Sequence, residues 1–288
     1  MTHVLSLATF LVAALLYGVA SVLFFLDIAR KNLRPGPTND GRTSARSSAE
    51  PRLPPALLGI AAVSHLAYVT FAGIVAKVCP VNSVHFSLSL ASILAVVLYL
   101  PARRRFRIDA IGVLLAPLGL ATILGTFFVG QPASANSFGA PFLALHVLAN
   151  LAGAALFMLA GGSSLLYLIQ ERRIKQKHAQ ARTRRLPPLE VLDKAGHRFL
   201  VAGFPLLTLG ILTGTIWSNH LESGTIDEIL RSVLGYTTWF VFATVLLLRA
   251  AAGFRGRRAA YGTITGLLCV AAVLAIYLVR PAIERVGG

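Results

Sequence analysis

The chain has 288 residues, 56% of them hydrophobic and 13% charged, with 27 Lys and Arg against 11 Asp and Glu for a net charge of +16. That much apolar material exceeds what one soluble core of this length can enclose, which excludes an ordinary water-soluble domain and points to lipid as the solvent. The basic charge is divided among short loops with no recognised nucleic-acid reader motif, so nucleic acid is excluded as a partner and anionic membrane lipid is expected instead.

A helix needs about 20 apolar residues to cross a hydrocarbon core of roughly 30 Å. Such stretches are predicted at 5–28, 55–77, 83–102, 109–130, 141–170, 199–218, 231–249 and 260–280. The expected fold is all-α: a polytopic membrane protein with eight transmembrane helices, one transmembrane domain over 1–288. The first stretch reads as a retained span, because no Lys or Arg precedes Asp27, unlike the basic start of a signal peptide. The fifth is long enough for its last turns, Tyr167 to Gln170, to emerge at the interface or tilt the helix.

Charge sets the expected orientation. Arg30, Lys31, Arg34, Arg42, Arg46 and Arg52 follow span 1, and Arg103, Arg104, Arg105 and Arg107 follow span 3. Nine cations from Arg172 through Arg198 follow span 5, and Arg249, Arg255, Arg257 and Arg258 follow span 7. Alternate loops thus hold 23 of the 27 cations, which places them in the cytoplasm and both termini outside. Residues 31–54 read as a flexible cytoplasmic linker, being rich in Pro, Gly and Ser and poor in apolar residues. Residues 171–198 read as a basic cytoplasmic loop, in which Pro187-Pro188 precedes a pattern suited to a short helix on the inner leaflet.

Cys79 and Cys269 are not in a CxxC pair, so thiol relay chemistry has no local motif. Chemistry must come from polar residues at membrane depth, where each ionisable group is costly. His65 falls in the middle of span 2 with Tyr68 on the same face, and His146 falls near the outer end of span 5 with Asn150 one turn deeper. His85 opens span 3, and His220 begins the outer loop after span 6; His178 and His197 belong to the basic segment and His3 to the outer tail. Imidazole binds haem iron, so outward-facing His146, with His85 or His220, is a candidate ligand set for a flat apolar macrocycle. The competing reading is that each histidine only makes an interhelical hydrogen bond. Trp217 suits an interfacial aromatic belt, and the deeper Trp239 suits either packing or the flank of a ligand. Gly153, Ala154, Gly161, Gly162 and Ser163, like Gly203, Gly210 and Gly214, allow close helix approach, and Pro117 and Pro205 are expected to kink their helices.

The stretch LHVLANLAGAALFMLAGGSSLLYLIQERRIKQK, then LPPLEVLDKAGHRFLVAGFPLLTLGILTGTIWSN, then FRGRRAAYGTITG resembles the cytochrome c assembly protein family of CcsA type. The similarity extends to SHLAYVTFAG and SLSLASILAVVLYLPARRRFRIDAIGVLLAPLGL, and is greatest to the smaller YpjD-like or HemX-like branch. The resemblance implies an eight-span fold that binds haem and helps present it to apocytochrome c outside the membrane, with His146 as a haem ligand and His65 at a position where the small branch carries histidine. Two departures stand out. The tryptophan-rich WWD-type outer loop of haem-presenting members is replaced by SNHLESGTIDEILRS, and histidines expected near the ends of spans 7 and 8 are replaced by LLLRAAAGFRGRR and YLVRPAIERVGG.

The expected function is haem handling in cytochrome c assembly with an incomplete presenting apparatus, in a bacterial inner membrane, as a multi-pass binding factor and not an enzyme. Haem is the expected cofactor, drawn from His146, His65, His85, His220, Asn150, Trp217 and Trp239; the expected partners are lipid and other assembly proteins. One alternative is a regulatory or scaffold protein that kept the fold and lost the ligand. Another is a small-molecule transporter, against which stand the lack of a buried carboxylate in the spans and of paired broken helices.

Overall fold

The computed structural model describes residues 2–33, 53–76, 84–106, 108–128, 141–175, 187–218 and 226–286. The described residues form eight α-helices: α1 Thr2–Leu33, α2 Leu53–Ala76, α3 Val84–Phe106, α4 Gly112–Phe128, α5 Pro141–Lys175, α6 Leu189–Ser218, α7 Ile226–Ala251 and α8 Arg257–Val286. A short 3-10 turn, Asp109–Ile111, leads into α4. Among the described residues, seven of these helices are long and apolar enough to cross a membrane, and α8 covers the eighth predicted stretch.

Helices α1 to α4 pack on one another and α5 to α8 do the same, with α3 lying against α5 to join the two groups. Large apolar side chains are exposed around both: Val63 is 69% accessible, Phe240 66% and Leu268 64%. In water such a surface would drive association, whereas in lipid it is the ordinary outer face of a span. The interior between α3 and α4 is stitched by hydroxyls, with Ser89 Oγ 2.7 Å from Thr126 Oγ1 and Ser92 Oγ 2.9 Å from Thr122 Oγ1. Between α5 and α7, Phe157 and Phe242 stack with centroids 4.2 Å apart.

The basic helix ends converge. Arg103 Nε donates to Asp109 Oδ1 at 2.6 Å across the α3–α4 turn, and the Arg198 guanidinium lies 5.2 Å over the Phe106 ring, tying α6 to α3. Helix α7 ends where the Phe254 N–H reaches back to the Leu248 carbonyl at 3.2 Å, with Gly253 at φ +62°, the left-handed turn that glycine adopts without steric cost.

Two expectations change at the basic end of the bundle. The short surface helix after Pro188 is not a separate element: α6 runs unbroken from Leu189 to Ser218, its first bonds accepted by the Pro188 carbonyl at 2.9 and 3.2 Å. Of the segment read as a basic loop over 171–198, residues 171–175 continue α5 and 189–198 open α6. The reason is local: nothing between Leu189 and the apolar run breaks the helix, and Glu190 pairs with Lys194 one turn on at 2.5 Å. Most of the linker read over 31–54 lies outside the described residues, with α1 extending to Leu33 and α2 starting at Leu53.

Candidate functional site

The seam between α5 and α6 carries the site. On α6, residues 203, 207, 210 and 214 form one stripe at helical spacing, and Gly203, Gly210 and Gly214 make it shallow enough for α5 to settle against it. Side chains of α5 occupy the space that a β-carbon would need. A β-carbon on Gly210 would stand 2.5 Å from Asn150 Oδ1, and one on Gly214 would stand 2.7 Å from His146 Cε1.

Within this socket His146 Nδ1 donates to the Gly210 carbonyl at 2.7 Å, with Thr213 Oγ1 at 3.4 Å from the same nitrogen. A carbonyl only accepts, so the proton must sit on Nδ1 and Nε2 is left with its lone pair. Asn150 Nδ2 donates to the His146 carbonyl at 2.8 Å and lies 3.3 and 3.2 Å from the two ring nitrogens. An amide equidistant from both nitrogens lies across the ring, not along either lone pair. His146 is half-buried, with its ring held against α6. A neutral imidazole oriented by a bond from its other nitrogen to a backbone carbonyl is the arrangement metal-ligating histidines use. The residues present therefore suit haem iron at Nε2, and the socket itself is filled by protein.

The other predicted residues do not gather here. His65 is fully buried among α1, α2 and their neighbours, its Nδ1 3.3 Å from the Tyr17 hydroxyl and its ring edge-on to Tyr17. Because α2 packs on α1, α3 and α4 while His146 lies between α5 and α6, the two histidines belong to different helix groups. His85 lies in the first turn of α3, where its carbonyl accepts a bond from Thr126 Oγ1 at 3.0 Å. Trp239 Nε1 donates to Thr208 Oγ1 at 3.0 Å and its ring lies 5.6 Å from Phe204. Phe204 and Thr208 lie one turn apart on the α6 stripe next to that of Gly210 and Gly214, so Trp239 packs α7 onto a different side of α6. Trp217 lies in the last turn of α6, its side chain outside the described residues, as is the whole of His220.

A second polar cluster escaped the sequence reading. Asp193 on α6 accepts Arg249 Nη1 at 2.9 Å and Nη2 at 2.6 Å, and the Gly256 N–H at 3.2 Å. The Arg249 and Asp193 side chains are 11% and 15% exposed. Asp193 lies ahead of the stretch predicted over 199–218, at the basic end of α6, and is satisfied by three donors. A cavity of about 20 Å³, room for a single water, lies beside this clamp among Ser164, Tyr167, His197 and Thr263. A 56-residue separation in the sequence hides the pairing.

These features define a multi-pass helical membrane protein with an imidazole held at one end of its α5–α6 seam. Residues 56–284 match the family model described as cytochrome C assembly protein, and the chain belongs to that family. It is 26% identical over 219 residues to a cytochrome c biogenesis protein CcsA of Heterosigma akashiwo, covering 63% of this chain and 68% of the relative. A cytochrome c biogenesis protein CcsA of Nostoc punctiforme is 37% identical over 86 residues, 30% of this chain and 24% of the relative. No solved structure matches it significantly.

Proposed function

We propose that this protein acts in cytochrome c biogenesis as a haem-binding assembly factor of a bacterial inner membrane, in the YpjD-like or HemX-like branch, and not as an enzyme. The observation that carries the reading is the Nδ1–H bond from His146 to the Gly210 carbonyl, which leaves Nε2 as a ligand nitrogen on a half-buried ring. Haem, when bound, supplies an iron for imidazole ligation and a redox-active macrocycle. The chain's part is to fix the imidazole tautomer through Gly210, hold the ring plane with Asn150 and Gly214, and keep the surrounding faces apolar. Both family relatives named above carry the biogenesis role in their names, which supports the same process here.

A second reading has its own observation. The ring's close fit against Gly214, with Asn150 across it, is also what a fastener between α5 and α6 needs, as in a scaffold that no longer takes ligand. A complementation experiment separates the two. In a strain lacking the gene, haem-stained c-type cytochromes are expected to fall, and to be restored by the wild-type chain but not by His146→Asn. An Asn amide can still donate to the Gly210 carbonyl and keep the seam, but it ligates iron poorly. Full restoration by His146→Asn supports the scaffold, and an unchanged cytochrome content in the deletion strain removes the biogenesis role itself.

A further inference from the structure

Where α5 and α8 reach the basic end of the bundle, three features coincide. Arg257 Nη2 donates to the Tyr261 hydroxyl at 3.3 Å with its guanidinium 5.4 Å over the same ring, and the positive charge of Arg172 on α5 also acts on that hydroxyl. Two arginines from different helices are thus gathered around one exposed tyrosine, and Arg258 stacks over Phe254 beside them at 5.7 Å. The acid nearby, Glu171, is engaged by Lys175 at 2.8 Å. Fixing a long cation on an aromatic ring lowers the entropy it loses on meeting an anion.

Below this crown both helices turn apolar faces outward. Leu165, Ile169 and Arg172 follow one another at i, i+4 and i+7 on α5, with Leu165 40% and Ile169 36% exposed. On α8, Tyr261 and Leu268 lie seven residues apart on one face, with Leu268 64% exposed. The helices run antiparallel and touch where Leu267 fills the space left by Gly161, which sets the two apolar strips side by side. The combination is a cationic, aromatic-backed rim above an apolar furrow.

We propose that this α5–α8 rim binds the phosphate of an anionic phospholipid of the inner leaflet, its acyl chains lying along Leu165, Ile169 and Leu268. A phosphodiester offers the oxygens that Arg172 and Arg257 would clamp, and the furrow accepts chains that a soluble anion lacks. Basic residues at a membrane surface attract anionic lipid by about 1 kcal/mol each, so removing both arginines lowers preference for the lipid about 30-fold.

The test uses the full chain in dodecylmaltoside mixed with equal phosphatidylglycerol and phosphatidylcholine, with retained lipid counted by native mass spectrometry. Wild type is expected to retain phosphatidylglycerol selectively, and Arg172→Gln with Arg257→Gln to lose that selectivity. The control pair Arg104→Gln with Arg105→Gln, exposed at the same end, changes net charge equally and should retain it. Equal loss in both pairs overturns the site in favour of a diffuse field, as does a wild type with no preference. Displacement of the lipid by millimolar inorganic phosphate would assign the rim to a free anion and overturn the lipid assignment. Far-UV circular dichroism of both double variants shows that a loss is not unfolding.

Discussion

Substituting Asp193 by Asn preserves the side chain's shape while removing the charge that Arg249 faces. Arg249 would then keep a guanidinium that is 11% exposed, with no carboxylate opposite. Exposed ion pairs contribute about 0–1 kcal/mol, whereas breaking a buried one costs about 3–5 kcal/mol. At 11% and 15% exposure the pair lies near the buried limit, and Asn can still accept the Gly256 N–H, so a loss of about 3 kcal/mol is expected. At about 2–4 °C per kcal/mol for a chain somewhat shorter than this one, thermal unfolding followed by circular dichroism in dodecylmaltoside should drop by roughly 6–12 °C. Replacing both partners, Asp193→Leu with Arg249→Leu, should recover most of that drop, because no charge is stranded. An Asp193→Asn midpoint within 1–2 °C of wild type, or a double variant no better than the sum of its singles, would refute the account of the clamp (roughly the resolution of an exposed pair).

Other sites give independent checks. Gly214→Ala puts a β-carbon 2.7 Å from His146 Cε1, so the ring must turn off the Gly210 carbonyl; haemin affinity should fall at least about tenfold while the helical content is kept, and an unchanged affinity would show that the tautomer lock is dispensable. His65→Leu removes a buried ring whose Nε2 has no partner among the described residues, so stability measured by the same unfolding assay should change by less than about 1 kcal/mol, and a loss above about 3 kcal/mol would reveal an essential partner. Phe157→Ala opens a cavity against Phe242 and should cost about 3–5 kcal/mol, whereas Thr126→Val, which loses a hydroxyl contact to Ser89, should cost about 1 kcal/mol or less.

The spans were legible because length and apolar composition alone decide what crosses a bilayer. Alternation of Arg-rich and Arg-poor loops agrees with eight such stretches in the sequence. The short helix expected after Pro188 joins span 6 into one element because Asp193, Lys194 and His197 do not break the helix and Asp193 is paired with Arg249. His146 and Asn150 were recognisable from their spacing on one face and from the family resemblance. Gly210, Gly214 and Thr213 were not singled out as its socket, since a glycine says that something approaches closely without saying what. Trp239 is open in the sequence between packing and ligand, and its bond to Thr208 and ring contact with Phe204 show which side of α6 it takes. His65 and His146 looked equivalent as intramembrane imidazoles, and it is helix pairing, which periodicity does not encode, that puts them in separate groups.

The central claim is that His146 Nε2 is a ligand nitrogen because Nδ1 is committed to the α6 backbone. Titrating the purified protein with haemin in mild detergent and recording its absorption tests this most directly. A saturable Soret band in wild type that is lost in both His146→Ala and His146→Asn, and kept in His65→Leu, is the predicted result. A band that persists unchanged in the two His146 variants, or no saturable band in wild type, would contradict it.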